Sequence, residues 1–320
     1  MDHWHMFMNF TTIPVTLLVL LLITPPYLVF KFLRFVVNST FRAENLAGKV
    51  ILITGASSGI GEKIAYEYAR RGARLAIAAR REDRLRQVAE TASKLGSPDV
   101  LIVVVDVSKA NDCRRMVQET IDHFGQVNHL VNNAGITSNS LFENYPEISD
   151  STKSVMEINF WGSVYATKYA IPHLKRSRGK IIVISSVVHR LPQPRSSIYN
   201  ATKAAMVNFF ETLRVELGSA ITVTIIAPWY TDSEMIRGKV LDASGEMKID
   251  THLKNFLETN KYIVSKGEDC AKAIVDSARR GDRYLTQPIW AKIQFYVKLF
   301  CPELLEWIYR ITIKMYARMQ

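Results

Sequence analysis

Tyr199 and Lys203, within YNATK, stand four residues apart, so on a helix they share one face. A phenol ordinarily titrates near about pH 10, too high for efficient proton exchange at neutrality. An ammonium beside it stabilises the phenolate and lowers that value. The pair therefore reads as a general acid/base acting on a substrate hydroxyl or carbonyl. Thirteen residues upstream, Ser186 closes the apolar run that ends Ile184-Ser185-Ser186. Its hydroxyl can donate to a substrate oxygen that carries developing negative charge.

Such side chains need a scaffold, and the sequence from Lys49 onward supplies one. Short β-branched runs alternate with helical stretches: KVILIT, RLAIAA, VLIVVV, HLVNN, KIIVIS and TVTIIA, with a weaker seventh at RYLT. The runs are continuously apolar rather than alternating, as expected for parallel strands buried on both faces. The expected fold is α/β, a doubly wound parallel sheet of Rossmann type, in a single domain over 46–286.

Directly after the first run comes Thr54-Gly55-Ala56-Ser57-Ser58-Gly59-Ile60-Gly61, leading into a helix. Glycines allow a tight turn and close approach of backbone to a pyrophosphate, which then rests on the helix N-terminus. The spacing is GxxxGxG rather than GxGxxG. Gly55, Ser57, Ser58, Gly59, Ile60 and Gly61 are therefore candidate cofactor contacts.

TGASSGIG opening such a sheet resembles the signature of short-chain dehydrogenases/reductases, and the resemblance extends to the later motifs. In that family the end of the second strand selects the cofactor, and here Ala79 is followed by Arg80 and Arg81 with no acid. Arg80 is expected to grip a 2′-phosphate, which implies NADP (NADPH) over NAD. The alternative is a solvated pair with Glu82 at a helix start. Asp106-Val107 resembles the family's adenine contact. Asn133, Ala134 and Gly135, in Asn132-Asn133-Ala134-Gly135, resemble the motif that steadies the sheet and lines the cofactor. Asn159 in MEINFWGS matches the asparagine that holds a water beside the lysine. The family pattern places the active serine at Ser186 rather than Ser185, contacting substrate together with Tyr199, while Tyr199 and Lys203 also contact cofactor. Hydride transfer is the implied reaction. One departure stands out: where the family usually has Pro-Gly, this chain has Pro228-Trp229, placing an indole near the expected nicotinamide site.

Composition narrows the setting. The net charge of +11 over 320 residues fits nucleic acid, an anionic membrane or a phosphate-bearing cofactor. The basic residues form no long run, so no nucleic-acid partner is expected. Cys113, Cys270 and Cys301 are far apart and never in CxxC, and the seven histidines lack ligand spacing. Neither a disulfide framework nor a metal site is expected, and a reducing compartment is.

Residues 1–45 read as an anchor. Ile13 to Phe30 carries no charge and is long enough to cross a bilayer core, yet Pro14, Pro25 and Pro26 interrupt it. A straight span and a bent hairpin both remain open. Asp2 before the run and bulky residues after it argue against a cleaved signal peptide. Lys31, Arg34 and Arg42 on the C-terminal flank place the domain in the cytosol by the positive-inside rule, against a sequon at Asn38 to Thr40 that would favour the lumen.

FKFLRFV, AYEYARRGA, ARREDRLR, INFWGSVYATKYAIPHL and FFETLRVELG make the chain similar to plant steroleosins, the hydroxysteroid-dehydrogenase-like proteins of oil bodies. That resemblance implies a proline knob at Pro14, Pro25 and Pro26, a steroid-like lipophilic substrate, and a location on lipid droplets or endoplasmic reticulum. It makes Trp229 to Tyr262 a substrate lid. Residues 287–320 form an aromatic and basic amphipathic extension, suited either to a lipid headgroup region or to a homodimer contact or ordinary core packing. Two function classes follow: a working oxidoreductase, or a lipid-droplet coat or sterol-binding protein in which Trp229 has cost turnover.

Overall fold

The structure, a computed structural model, describes residues 3–40 and 43–317. The expectations placed on Asp2 and Arg42 lie outside the described residues, as do the side chains of Arg34 and of the sequon. The chain divides into two units, 1–44 and 45–320.

The first unit is one continuous helix, α1 (His3–Thr40), with Pro14, Pro25 and Pro26 inside it. The hairpin alternative is not what forms. Each interior proline removes a backbone donor and strains the preceding turn. For so apolar a stretch, however, a helix still pairs nearly all its other backbone groups internally, whereas an open turn would not. The segment His3–Leu33 is long and apolar enough to cross a membrane.

The second unit begins with β1 (Val50–Thr54), α2 (Gly59–Ala69), β2 (Arg74–Ala79), α3 (Glu82–Lys94), β3 (Val100–Val104), α4 (Ala110–Phe124) and β4 (His129–Asn132). It continues through α5 (Asp150–Met156), α6 (Gly162–Ser177), β5 (Lys180–Ile184), α7 (Ser197–Leu217) and β6 (Thr222–Pro228). Then follow β7 (Lys239–Leu241), β8 (Met247–Ile249), α8 (Thr251–Thr259), α9 (Gly267–Arg280), β9 (Tyr284–Gln287), α10 (Ile293–Phe300) and α11 (Pro302–Ala317).

Seven strands form a parallel sheet in the order β3-β2-β1-β4-β5-β6-β9. β1 pairs on one side with β2 (Ile53 opposite Ile77) and on the other with β4 (Ile53 opposite Val131). The chain direction of progress reverses between those neighbours, which opens a crevice above the strands' carboxyl ends. One face of the sheet packs Ile51, Ile53, Leu75 and Ile77 against α2, α3 and α9. The other packs Leu52, Leu130, Ile181 and Val183 against α4, α6 and α7. Phe210 of α7 is fully buried there, and truncating such a side chain to alanine costs about 3–5 kcal/mol.

Two features add to the sequence reading. The expected lid contains an antiparallel hairpin, β7–β8, followed by α8. The C-terminal extension takes up the core-packing alternative: Ala291 and Leu305 are buried with Val187, Val188, Leu191 and Ala227, and Phe295, Val297 and Tyr309 pack against that cluster. One amphipathic face thus completes a core while Trp290, Ile293, Leu299, Phe300 and Trp307 stay exposed.

Candidate active site

A cavity of about 360 Å³ lies above the carboxyl ends of the strands. One end is the β1–α2 turn, whose backbone explains its composition. Gly59 has φ +61°, a left-handed conformation that side chains strain. Gly61 has no room for one: a Cβ there would stand 2.4 Å from both Asn133 Nδ2 and Gly55 O. Asn133 Nδ2 donates to Thr54 O (3.0 Å) and Gly55 O (3.1 Å), and the Asn133 and Ala134 backbone N–H groups donate to Thr54 Oγ1. The turn is thereby tied to the end of β4. Ser58, at the N-cap of α2, makes no side-chain cap bond, so the first-turn amides are left for an anion. Gly55, Ser57, Ser58, Gly59, Ile60, Asp106, Val107, Asn133, Ala134 and Gly135 all line the cavity. Gly61 supports the turn from behind. This cradle, closed to side chains and open to an anion, fits a dinucleotide's pyrophosphate.

The two arginines after β2 behave differently. Arg80 is exposed and lines the cavity. Arg81 folds over the turn: Nη2 donates to Ser58 Oγ (2.7 Å) and Ser57 Oγ (3.1 Å), and Nη1 to both carboxylate oxygens of Glu234 (3.0 Å each). Lys239 also pairs with Glu234, at 2.9 Å. These two cations hold the Glu234 carboxyl below its ordinary value despite its partial burial. The alternative of a helix-start pair with Glu82 is not what forms: Glu82 pairs with Arg86. Glu234 went unnoticed in the sequence, and Arg81 was named there without a role of its own. An arginine next to Arg80 was visible, but a partner far along the chain was not.

At the other end of the cavity, Ser186 follows β5 and Tyr199 and Lys203 project from α7. Ser185 donates to Lys203 O at 3.2 Å. Lys203 Nζ donates to Ile184 O (2.9 Å) and lies 5.6 Å from the Tyr199 ring centroid. Burial pushes the phenol up to about 12, with the Ser186 hydrogen bond opposing it. Burial also brings the Lys203 ammonium down to about 8. In the cofactor-free protein the phenol therefore moves opposite to the expected acidification, because loss of solvent around the phenolate raises it.

Asn159 is fully buried in a π-helical turn, Glu157–Trp161, between α5 and α6. Its Oδ1 accepts from Ile136 N (2.8 Å), and its Nδ2 donates to Ile136 O (2.9 Å) and Thr202 Oγ1 (3.0 Å). The side chain braces the segment after β4 against α7. Asp106 Oδ1 likewise accepts from the Ser108 N–H and hydroxyl, fixing the turn before α4.

Trp229 lines the cavity without closing it. Its backbone N–H donates to Gln287 O at 2.8 Å, and its ring meets Tyr230 and Trp290 edge to face, at centroid distances of 5.0 and 5.7 Å. The indole joins the end of β6 to the C-terminal helices. Among the described residues, no three His, Cys, Asp or Glu side chains are grouped to hold a metal ion.

Comparison with known proteins agrees with this geometry. The pattern of the short chain dehydrogenase family matches residues 49–243. The chain is 52% identical over 311 residues to 11-beta-hydroxysteroid dehydrogenase A of Arachis hypogaea, covering 97% of this chain and 88% of that protein. An alcohol dehydrogenase from the archaeon Thermococcus sibiricus, complexed with 5-hydroxy-NADP, superposes with a TM-score of 0.61 at 26% identity, covering 74% of this chain and 94% of that one. A short chain dehydrogenase/reductase from Burkholderia phymatum, in complex with NAD, shares the fold with a TM-score of 0.72 at 23% identity, over 82% and 96% of the two chains.

Proposed function

Given that the chain belongs to the short-chain dehydrogenases, in the steroleosin-like group of these oxidoreductases, we propose that it uses NADP to interconvert a lipophilic, hydroxysteroid-like alcohol and its ketone. The observation that carries this reading is one cavity that joins an anion cradle at Gly55–Gly61 to the Ser186, Tyr199 and Lys203 side chains. Arg80 and Arg81 at the cradle, with no carboxylate at the end of β2, support a 2′-phosphate and hence NADP. The relative from Arachis hypogaea supports a steroid-like substrate by its name.

In the reduction direction, Ser186 Oγ and Tyr199 Oη both donate to the substrate oxygen. When bound, the nicotinamide supplies the hydride at the adjoining carbon. As charge gathers on the oxygen, the Ser186 hydroxyl stabilises it and Tyr199 Oη gives up its proton. The Lys203 ammonium, held by Ile184 O, stabilises the phenolate that remains. Alcohol oxidation reverses each step. Asn159 keeps Ile136 and α7 in register, so the acid and the cradle stay at a fixed separation.

The apolar helix α1 supports a lipid anchor, with lipid droplet or endoplasmic reticulum as the location and the catalytic unit on the cytosolic side. The exposed Trp290, Leu299, Phe300 and Trp307, with Lys292 and Arg310 beside them in sequence, support contact of the tail with lipid headgroups. A coat or sterol-binding role depended on an obstructing Trp229, and the indole's packing against Trp290 favours the enzyme instead. The test is the full chain in detergent with NADP or NADPH and a panel of hydroxysteroids and ketosteroids, followed by cofactor absorbance. Turnover supports the enzyme; none in either direction supports the coat.

A further inference from the structure

Resting on the oxidoreductase reading, we propose that His189 is a positioning residue through which the C-terminal helices hold Ser186 in place. A hydroxyl stabilises a developing oxyanion only if its oxygen is fixed beforehand, and small misplacements are costly. Ser186 lies just beyond its strand, because the last ladder bond runs from Ser185 N to Ile226 O (2.8 Å) and the chain then turns into the short helical turn Val187–His189. Within that turn the contact from Val188 N to Ser186 Oγ is long, at 3.4 Å, and the backbone bond from His189 N to Ser186 O is 3.2 Å.

The short bond is from a side chain. His189 Nδ1 lies 2.6 Å from Ser186 O. A carbonyl only accepts, so Nδ1 carries the hydrogen and donates it. The ring is largely buried, which holds it below its ordinary titration range and keeps it neutral. Arg190 and Lys298 act in the same direction, and the bond to Ser186 O and Glu211 act against it. Since Nδ1 keeps its hydrogen in the charged form as well, the bond to Ser186 does not depend on protonation.

What holds His189 comes from the tail. Its ring meets Phe295 of α10 edge to face at 5.6 Å, and the Arg190 guanidinium lies 5.7 Å from the same Phe295 ring. Lys298, one turn further along α10, donates to Arg190 O. Phe295 and Lys298 thus grip successive residues of the turn whose first carbonyl His189 holds. The C-terminal helices act on catalysis through this turn, without lining the cavity themselves.

The test uses the full chain and three variants. His189→Phe keeps an aromatic ring against Phe295 but has no donor. His189→Asn offers Nδ2 in nearly the place of Nδ1 but has no ring. Phe295→Ala removes the support. His189→Phe is expected to lower kcat about tenfold, and Phe295→Ala and His189→Asn, which both keep a donor but lose the ring contact, only about threefold, with KM for NADP within about twofold of wild type in all three. Amide hydrogen exchange of residues 186–191 should quicken in the first two, while 199–217 keeps its protection. A His189→Phe variant with wild-type kcat and exchange overturns the proposal, as does a His189→Asn variant no better than His189→Phe. If the wild-type chain turns over no steroid, the oxidoreductase reading fails, and the exchange data still decide whether His189 holds Ser186.

Discussion

Lys203 and Tyr199 share one face of α7, yet the lysine donates to Ile184 O at 2.9 Å rather than to the phenol, whose ring centroid is 5.6 Å away. Burial moves the two groups in opposite directions, each toward its neutral form: the phenol up to about 12 and the ammonium down to about 8. Both shifts have measurable signs. For Lys203 the ordinary value is 10.5, so between about pH 8 and 10.5 the unfolded chain binds more protons than the folded one. Stability therefore rises with pH across that window, and below it the full cost of the buried ammonium is present.

It follows that Lys203→Met should stabilise the fold at pH 7, by an amount on the order of 3 kcal/mol at most, and the gain should shrink toward pH 10. Activity should be lost at the same time. Denaturant unfolding of both proteins at the two pH values checks this; a variant less stable than wild type at pH 7 contradicts it.

Tyr199 should remain protonated well past neutrality in the cofactor-free protein. Ultraviolet titration of wild type against Tyr199→Phe should show no Tyr199 phenolate below pH 10, its ordinary value. Phenolate absorbance at neutral pH would mean that the amine, not desolvation, governs the phenol.

Arg80→Asp should move cofactor preference from NADP toward NAD, since a carboxylate repels a 2′-phosphate and accepts from ribose hydroxyls. Dissociation constants for the two cofactors, measured by protein fluorescence, report it. Their ratio should change by at least about tenfold, as removal of one charge-assisted bond implies. An unchanged ratio would remove Arg80 from cofactor selection and leave Arg81, already bonded to Ser57 and Ser58, as the candidate.

Deleting residues 1–37 should release the protein from membranes or droplets, because His3–Leu33 holds the long apolar run. Flotation on a density gradient measures this. Persistent flotation would assign lipid attachment to the exposed aromatic face of α10 and α11.

The sheet and its cradle were legible because their signals are local. Continuous β-branched runs mark buried parallel strands, and Gly55 and Gly61 of TGASSGIG stand where a Cβ would strike backbone or Asn133. YNATK declared its geometry through helix periodicity alone. Features made by distant contacts were not legible. Glu234 meets Arg81 across 153 positions, and nothing near either residue announces the pairing. The three-residue strands β7 and β8 are too short to show a period. In the tail, an amphipathic pattern revealed two faces but not that Ala291 and Leu305 cover Val187 and Val188. Phenol acidity was misjudged because pair spacing reveals charge proximity and is silent about burial.

The most direct measurement compares steroid-dependent turnover of NADP or NADPH by the full chain with that of Tyr199→Phe, which keeps the ring and removes only the hydroxyl. Loss of the proton donor should lower kcat by at least about a hundredfold while cofactor affinity stays within about twofold. Equal turnover by the two proteins would contradict the assignment of Tyr199 as the acid and base.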